Sequence, residues 1–198
     1  MDGSGEKTNA APAGMAAAEW AARIELAAIY RLVEHNGWAG DIFNHSSMRV
    51  PGEERMFLIK RHDMLYPEVR ASNLVKINVD GNVVGESRHA ANKAGFVIHS
   101  AIHKARPEIN CVMHTHTAAG VGVSAQEQGL LPLSQHAMRL TGNVSYHDYE
   151  GVALDLDEQQ RLVSDMGSCM TMILRNHGLL TCGSTVREAV DYMYYLER

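Results

Sequence analysis

The sequence predicts an α/β fold in which helices cover a mixed β-sheet. Three observations lead there. Short β-like runs outnumber helical stretches, turn signals between those runs are frequent, and neither an internal repeat nor a long linker divides the chain. With 198 residues, 45% hydrophobic and 21% charged, the chain is long enough for one sizeable core. Residues 1–18 are rich in Ala and Gly and read as a flexible N-terminal tail. Residues 19–198 read as one domain.

The elements follow in order. Residues 16–36 predict a helix, with Leu26, Ile29, Tyr30 and Val33 as an apolar stripe beside Trp20, Ile24, Ala27 and Arg31. Gly37 is placed to stop it. Ile42 to Val50, Met56 to Ile59 and Leu74 to Val79 read as strands, and Asp80-Gly81 is a hairpin signal before Val83-Val84. Residues 95–106 predict a helix that Pro107 ends, with Phe96, Ile98, Ile102 and Ala105 as its apolar set. Asn110 to His116 reads as a strand and 117–126 as a short helix. Further short strands are expected beyond Leu130, and a helix near Asp157. Thr171 to Leu174 and Leu179 to Cys182 read as buried strands. A last helix starts at Thr185, where Thr185 and Glu188 fit a capping box. It is still running at Arg198, so further residues are expected to follow it.

Composition excludes several function classes. Net charge is −5 and the acidity is spread, so no basic nucleic-acid footprint exists. No apolar run approaches the roughly 20 residues that span a bilayer. Three Cys at unrelated spacings make no disulfide framework, and Cys111 and Cys182 lie in apolar runs as small core residues. That usage suits a reducing compartment, and the expected location is cytoplasmic.

The chain carries 11 His. His114-Thr115-His116 lies in a predicted strand, where residues two apart share a face about 6.5–7 Å apart. Val112 shares that face; Cys111, Met113 and Thr115 point the other way. Two imidazoles so placed can converge on one cation. His177, in Asn176-His177-Gly178 between two β-like runs, can add a third and leave a coordination position open. Against this stand two ordinary hydrogen-bonded His and an ordinary Asn-His-Gly turn. His99 and His103 share a helix face with the packing residues, and no acidic partner is near, so they read as packing rather than as a second metal site. His147-Asp148 reads as structural, with Asp148 able to orient a ligating His.

Ala105 to His116, Gly129-Leu-Leu-Pro-Leu-Ser134, His147-Asp-Tyr-Glu-Gly151 and Leu174-Arg-Asn-His-Gly-Leu179 resemble the class II aldolase/adducin family. Phe43-Asn-His-Ser-Ser-Met-Arg-Val-Pro51 resembles its adducin-like branch. The resemblance implies a three-layer α/β/α domain with a mostly antiparallel central sheet. It implies a homo-oligomer, commonly a tetramer. It implies one divalent cation on His114, His116 and His177, Zn²⁺ first, with Mn²⁺, Fe²⁺, Co²⁺ or Ni²⁺ as alternatives. Such a cation stabilises an enolate as a Lewis acid.

Departures from the sugar-phosphate aldolases narrow the expectation. The Glu that serves them as acid/base aligns with Gly95, which cannot transfer a proton. Their phosphate-binding positions align with Lys93-Ala94, His62-Asp63 and His45. The substrate is therefore expected to be a non-phosphorylated hydroxy-ketone or keto acid, held by His45, Arg49 and Lys93, with His136 as the candidate acid/base. The expected reaction is retro-aldol cleavage or decarboxylation; the latter needs no base to take a substrate proton. The competing expectation is a non-catalytic, adducin-like self-association domain.

Overall fold

A computed structural model describes residues 10–85, 93–151 and 157–198. The strands are β1 (His45–Arg49), β2 (Met56–Ile59), β3 (Val75–Asn78), β4 (Cys111–Thr115), β5 (Val144–His147), β6 (Thr171–Leu174) and β7 (Gly178–Gly183). They form one sheet in the order β3-β2-β1-β4-β7-β6-β5. Every neighbouring pair is antiparallel except β5 and β6. The sheet is mixed and mostly antiparallel, as expected.

Helices α1 (Ala17–His35), α2 (Lys93–Ala105), α3 (Ala118–Ser124), α4 (Gln135–Arg139), α5 (Glu158–Met166) and α6 (Val186–Leu196) cover its two faces. On one face Leu26, Ile29, Tyr30 and Val33 of α1 and Ala189 and Met193 of α6 pack with Cys111 and Met113 of β4. On the other, Val97, Ile98, Ala101 and Ile102 of α2 and Leu162 and Met166 of α5 pack with Val112, Leu180 and Cys182. Strand alternation divides β4 between these cores. Val112 faces α2, and so does the side of the strand that carries His114.

Local signals explain the element ends. Helix α1 ends in a Schellman motif: Gly37 N–H bonds Glu34 O, and Trp38 N–H bonds Val33 O. The apolar stripe of α1 is buried as predicted, while Trp20, Ile24 and Ala27 are half-buried and Arg31 is exposed. The phenol of Tyr30 accepts the Ser46 and Lys60 N–H groups and so fixes α1 to β1 and β2. Cys111 and Cys182 are buried and free, as expected.

Three expectations change. The run from Ile42 pairs only from His45, because residues 41–43 form a turn in which Asp41 has φ +47°. Of the several short strands expected between Leu130 and Asp157, the described residues show one, β5, and before it residues 135–139 form a short helix, since the Ser134 hydroxyl accepts the Ala137 N–H and caps it. The capping box on α6 is shifted. Thr185 Oγ1 accepts the Glu188 N–H as expected, but the Glu188 carboxylate accepts from Ser184 N–H and Oγ–H.

The Thr185 cap satisfies an end group that α6 cannot satisfy alone. Thr185→Ala should lower unfolding free energy by about 1 kcal/mol. Denaturant titration reads this as a lower midpoint at unchanged slope.

Candidate metal centre

The site forms where β4 ends beside the β6–β7 turn. Strand β4 pairs with β1 on one side and β7 on the other, which sets His114 opposite His45 and Leu180. His116 follows just past the strand. His177 occupies the tight turn that closes Leu174 against Gly178. Asn176 reaches φ +54° there, a conformation Asn tolerates. Gly178 is required by close approach: a Cβ on it would lie 2.3 Å from the Thr115 carbonyl oxygen. That approach brings His177 over the end of β4.

The three imidazoles converge through Nε2. His116 Nε2 lies 2.7 Å from His114 Nε2, which lies 3.2 Å from His177 Nε2. One ligand atom from each of the three falls within 4.8 Å of the others. His114 Nδ1–H donates to the Leu179 carbonyl at 2.8 Å, which leaves its Nε2 lone pair facing the other two rings. Ring nitrogens that face each other need a proton or a cation between them. Three imidazoles around Zn²⁺ at 2.0–2.1 Å would be about 3.4 Å apart, near the 3.2 Å between His114 and His177 and wider than the 2.7 Å between His114 and His116. The donor set therefore fits a divalent cation. Burial and its neighbouring imidazoles hold His114 well below the ordinary histidine value. Burial lowers His116 and brings His177 down to about 4. All three rings are thus neutral near pH 7, the form in which an imidazole can hold a cation.

Supports surround the three imidazoles. Thr115 and Thr117, which flank His116, donate to the two carboxylate oxygens of Glu197 at 2.7 and 2.6 Å. The segment carrying His116 is thereby tied to the end of α6. Glu197 was invisible in the sequence, being about 80 positions away with no motif of its own. Its carboxyl is raised by burial, against the lowering effect of the two hydroxyls.

The predicted site residues divide. His45 comes to the centre, its ring centroid 5.0 Å from that of His114. The ring also fills the space beside Gly95, where an added Cβ would lie 2.9 Å from His45 Cδ2. Position 95 therefore has no room for a side chain while His45 is in place. Arg49 does not come to the centre. It lies at the other end of β1, about 13 Å along the strand. Its guanidinium donates to four backbone carbonyls, those of Glu54, His103, Arg106 and Ile109. It closes the β1–β2 turn instead of holding a substrate. Lys93 opens α2, but its side chain lies outside the described residues. His136 sits on α4 with its ring 5.7 Å from that of Tyr195 on α6. Its partners are on the α6 side of the sheet, whereas His114 shares the α2 side. Asp148 is exposed, and His147 Nδ1 pairs with Asp165 at 2.7 Å instead.

The His45–Gly95 fit is testable. Gly95→Ala should gain helix propensity, about 1 kcal/mol, where the ring is absent. Where the ring is present, overpacking should cost about 1–3 kcal/mol. A double-mutant cycle with His45→Ala should return a coupling of that order, and additive effects would contradict the contact.

Comparison with known proteins agrees with this architecture. Residues 24–198 match the family described as Class II Aldolase and Adducin N-terminal domain. A Caulobacter vibrioides protein, provisionally named as an aldolase class 2 protein, is 49% identical over 181 residues, covering 91% of this chain and 70% of its own. Alpha-adducin of Rattus norvegicus is 46% identical over 88% of this chain, which corresponds to only 24% of that protein. The crystal structure of an aldolase II superfamily protein from Pseudomonas syringae superposes with a TM-score of 0.90 at 50% identity, covering 92% of this chain and 74% of that one. L-fuculose 1-phosphate aldolase from Glaciozyma antarctica superposes at 0.81 with 27% identity, covering 96% and 75%. No helix among the described residues is long and apolar enough to cross a membrane. The chain belongs to the class II aldolase/adducin family.

Proposed function

We propose that the chain is a metal-dependent lyase that cleaves a carbon–carbon bond, by retro-aldol cleavage or decarboxylation, in a non-phosphorylated hydroxy-keto or keto-acid substrate. The observation that carries this reading is the convergence of His114, His116 and His177 through Nε2. A divalent cation, Zn²⁺ first, would supply Lewis acidity to a substrate oxygen.

The residues of the chain set what that site selects. Three neutral imidazoles leave the charge of a dication uncompensated, which favours an anionic substrate such as a keto acid. The Leu179 carbonyl fixes the tautomer of His114. Glu197 holds the His116 segment through two hydroxyls. His45 forms one wall and occupies the space at Gly95, so a proton delivered from that position comes from an imidazole. A homo-oligomer, a tetramer by family resemblance, belongs to the same proposal.

A second reading has its own support. The 46% identity to alpha-adducin and the side-chain-free position 95 favour a non-catalytic, self-associating domain. The two separate in one assay. The purified chain, loaded with Zn²⁺ or Mn²⁺, is screened against hydroxy-ketones and keto acids for cleavage. His177→Ala should lose the metal and at least about 10²-fold in turnover. Undiminished turnover in a metal-free His177→Ala protein would contradict the lyase reading. A stable oligomer that binds no metal and turns nothing over would establish the second.

A further inference from the structure

His147, the last residue of β5, carries an imidazole that none of the chemistry above uses. The residue is only 3% exposed. Its Nδ1–H donates to Asp165 Oδ2 at 2.7 Å, which leaves a lone pair on Nε2. Nε2 has no hydrogen-bond partner. It faces two carboxylates instead, Glu158 Oε1 at 3.5 Å and Glu150 Oε1 at 3.9 Å. Helix spacing builds this bracket. Glu158 and Asp165 are seven apart on α5, close to two turns, so they share a face about 10.5 Å apart along the axis. The ring at the end of β5 fits between them. His147, Glu150 and Glu158 line a recess of about water-molecule size, with Ile98 and Leu174 as apolar walls and His177 on another side.

The contacts call for a positive charge in that recess. A lone pair that faces two carboxylates is repelled by both. A hydrogen on Nε2 would relieve the repulsion, but neither oxygen lies within the roughly 2.7–3.2 Å of an N–H···O bond. A cation satisfies all three groups. Two atoms held by one cation at about 2.0–2.2 Å, with an open angle between them, are roughly 3.3–3.9 Å apart. Both observed separations fall in that range. Three carboxylates surround the ring, and Arg161 pairs with the one on Glu150. Arg175 also lines the recess, but its guanidinium lies over the Tyr146 ring and donates to the Gln126 carbonyl. Burial raises the Glu158 carboxyl, and Glu150 adds to this while His147 opposes it. A counter-cation would offset the cost of that buried negative charge.

We propose that His147 Nε2 and Glu158 Oε1 are the direct protein ligands of a second divalent-cation site, separate from the three imidazoles. Glu150 supplies a neighbouring negative charge, and Asp165 orients the ring, as carboxylates do behind a ligating His. Water completes the coordination on the exposed side, toward Glu150. One imidazole with carboxylates suits Mn²⁺ better than three imidazoles do. The bound ion would tie the end of β5 to the start of α5. The site goes beyond the lyase reading and does not depend on it.

The test is a Mn²⁺ titration of the full chain carrying one equivalent of Zn²⁺, with free Mn²⁺ read by electron paramagnetic resonance. The expected result is one bound Mn²⁺ per chain. Glu158→Gln, which keeps the size of the side chain, should weaken it at least about tenfold. His116→Ala, which removes a member of the three-imidazole site, should still bind it. Long-range ¹H–¹⁵N spectra of the metal-free, ¹⁵N-histidine-labelled chain should show the His147 hydrogen on Nδ1 alone, and Mn²⁺ should broaden that ring's signals. No Mn²⁺ uptake would overturn the proposal. So would Mn²⁺ that is lost in His116→Ala and kept in Glu158→Gln, which would place it among the three imidazoles. Hydrogens on both ring nitrogens at pH 7 would make His147 the cation of its own cluster and overturn the proposal as well. Should Glu158→Gln not fold, the spectra of the unaltered chain decide: broadening of His147 supports the site, and unchanged signals contradict it.

Discussion

The antiparallel register of β4 is the constraint on which the site depends. Pairing of His114 with His45 on one flank and Leu180 on the other fixes where three imidazoles meet. Side chains alternate with a period of two, so a slip of one residue would turn His114 into the α1/α6 core and bring Thr115 to the site. Hydrophobic burial holds the register. Cys111 and Met113 are packed under α1 and α6, and Val112 under α2. Any slip would exchange those residues between two cores of different shape.

The same register sets the cost of the site. His45, His99, His103 and His114 are all nearly inaccessible, where an uncompensated polar group is unfavourable. Each is offset differently. His114 donates to the Leu179 carbonyl, and His45, His99 and His103 share hydrogens with one another and with Ser47. Burial disfavours the imidazolium form in all four and keeps them neutral. A neutral ring is what a cation ligand must be. Packing and ligand chemistry therefore act in one direction.

Much of this was legible in the sequence where a local pattern encodes it. Strand alternation put His114 and His116 on one face, and Asn176 and Gly178 marked the turn that carries His177. Apolar spacing placed α1, and the Thr185 cap placed α6. What could not be read depends on residues far apart in the chain. Nothing near His45 announces that its ring fills the space at Gly95, fifty positions later. The i, i+4 spacing of His99 and His103 looked like packing because their partner, Ser47, lies on another element. Arg49 looked like a carboxylate holder, since only the fold shows that it lies at the far end of β1 among carbonyls. The five-residue helix α4 is too short for periodicity to identify.

The central claim is that three imidazoles form one cation site. X-ray absorption on the Zn²⁺-loaded chain tests it most directly. The account predicts zinc with three imidazole nitrogens at about 2.0–2.1 Å and at least one oxygen ligand. A sulfur shell at about 2.3 Å, or oxygen ligands without imidazole scattering, would contradict it.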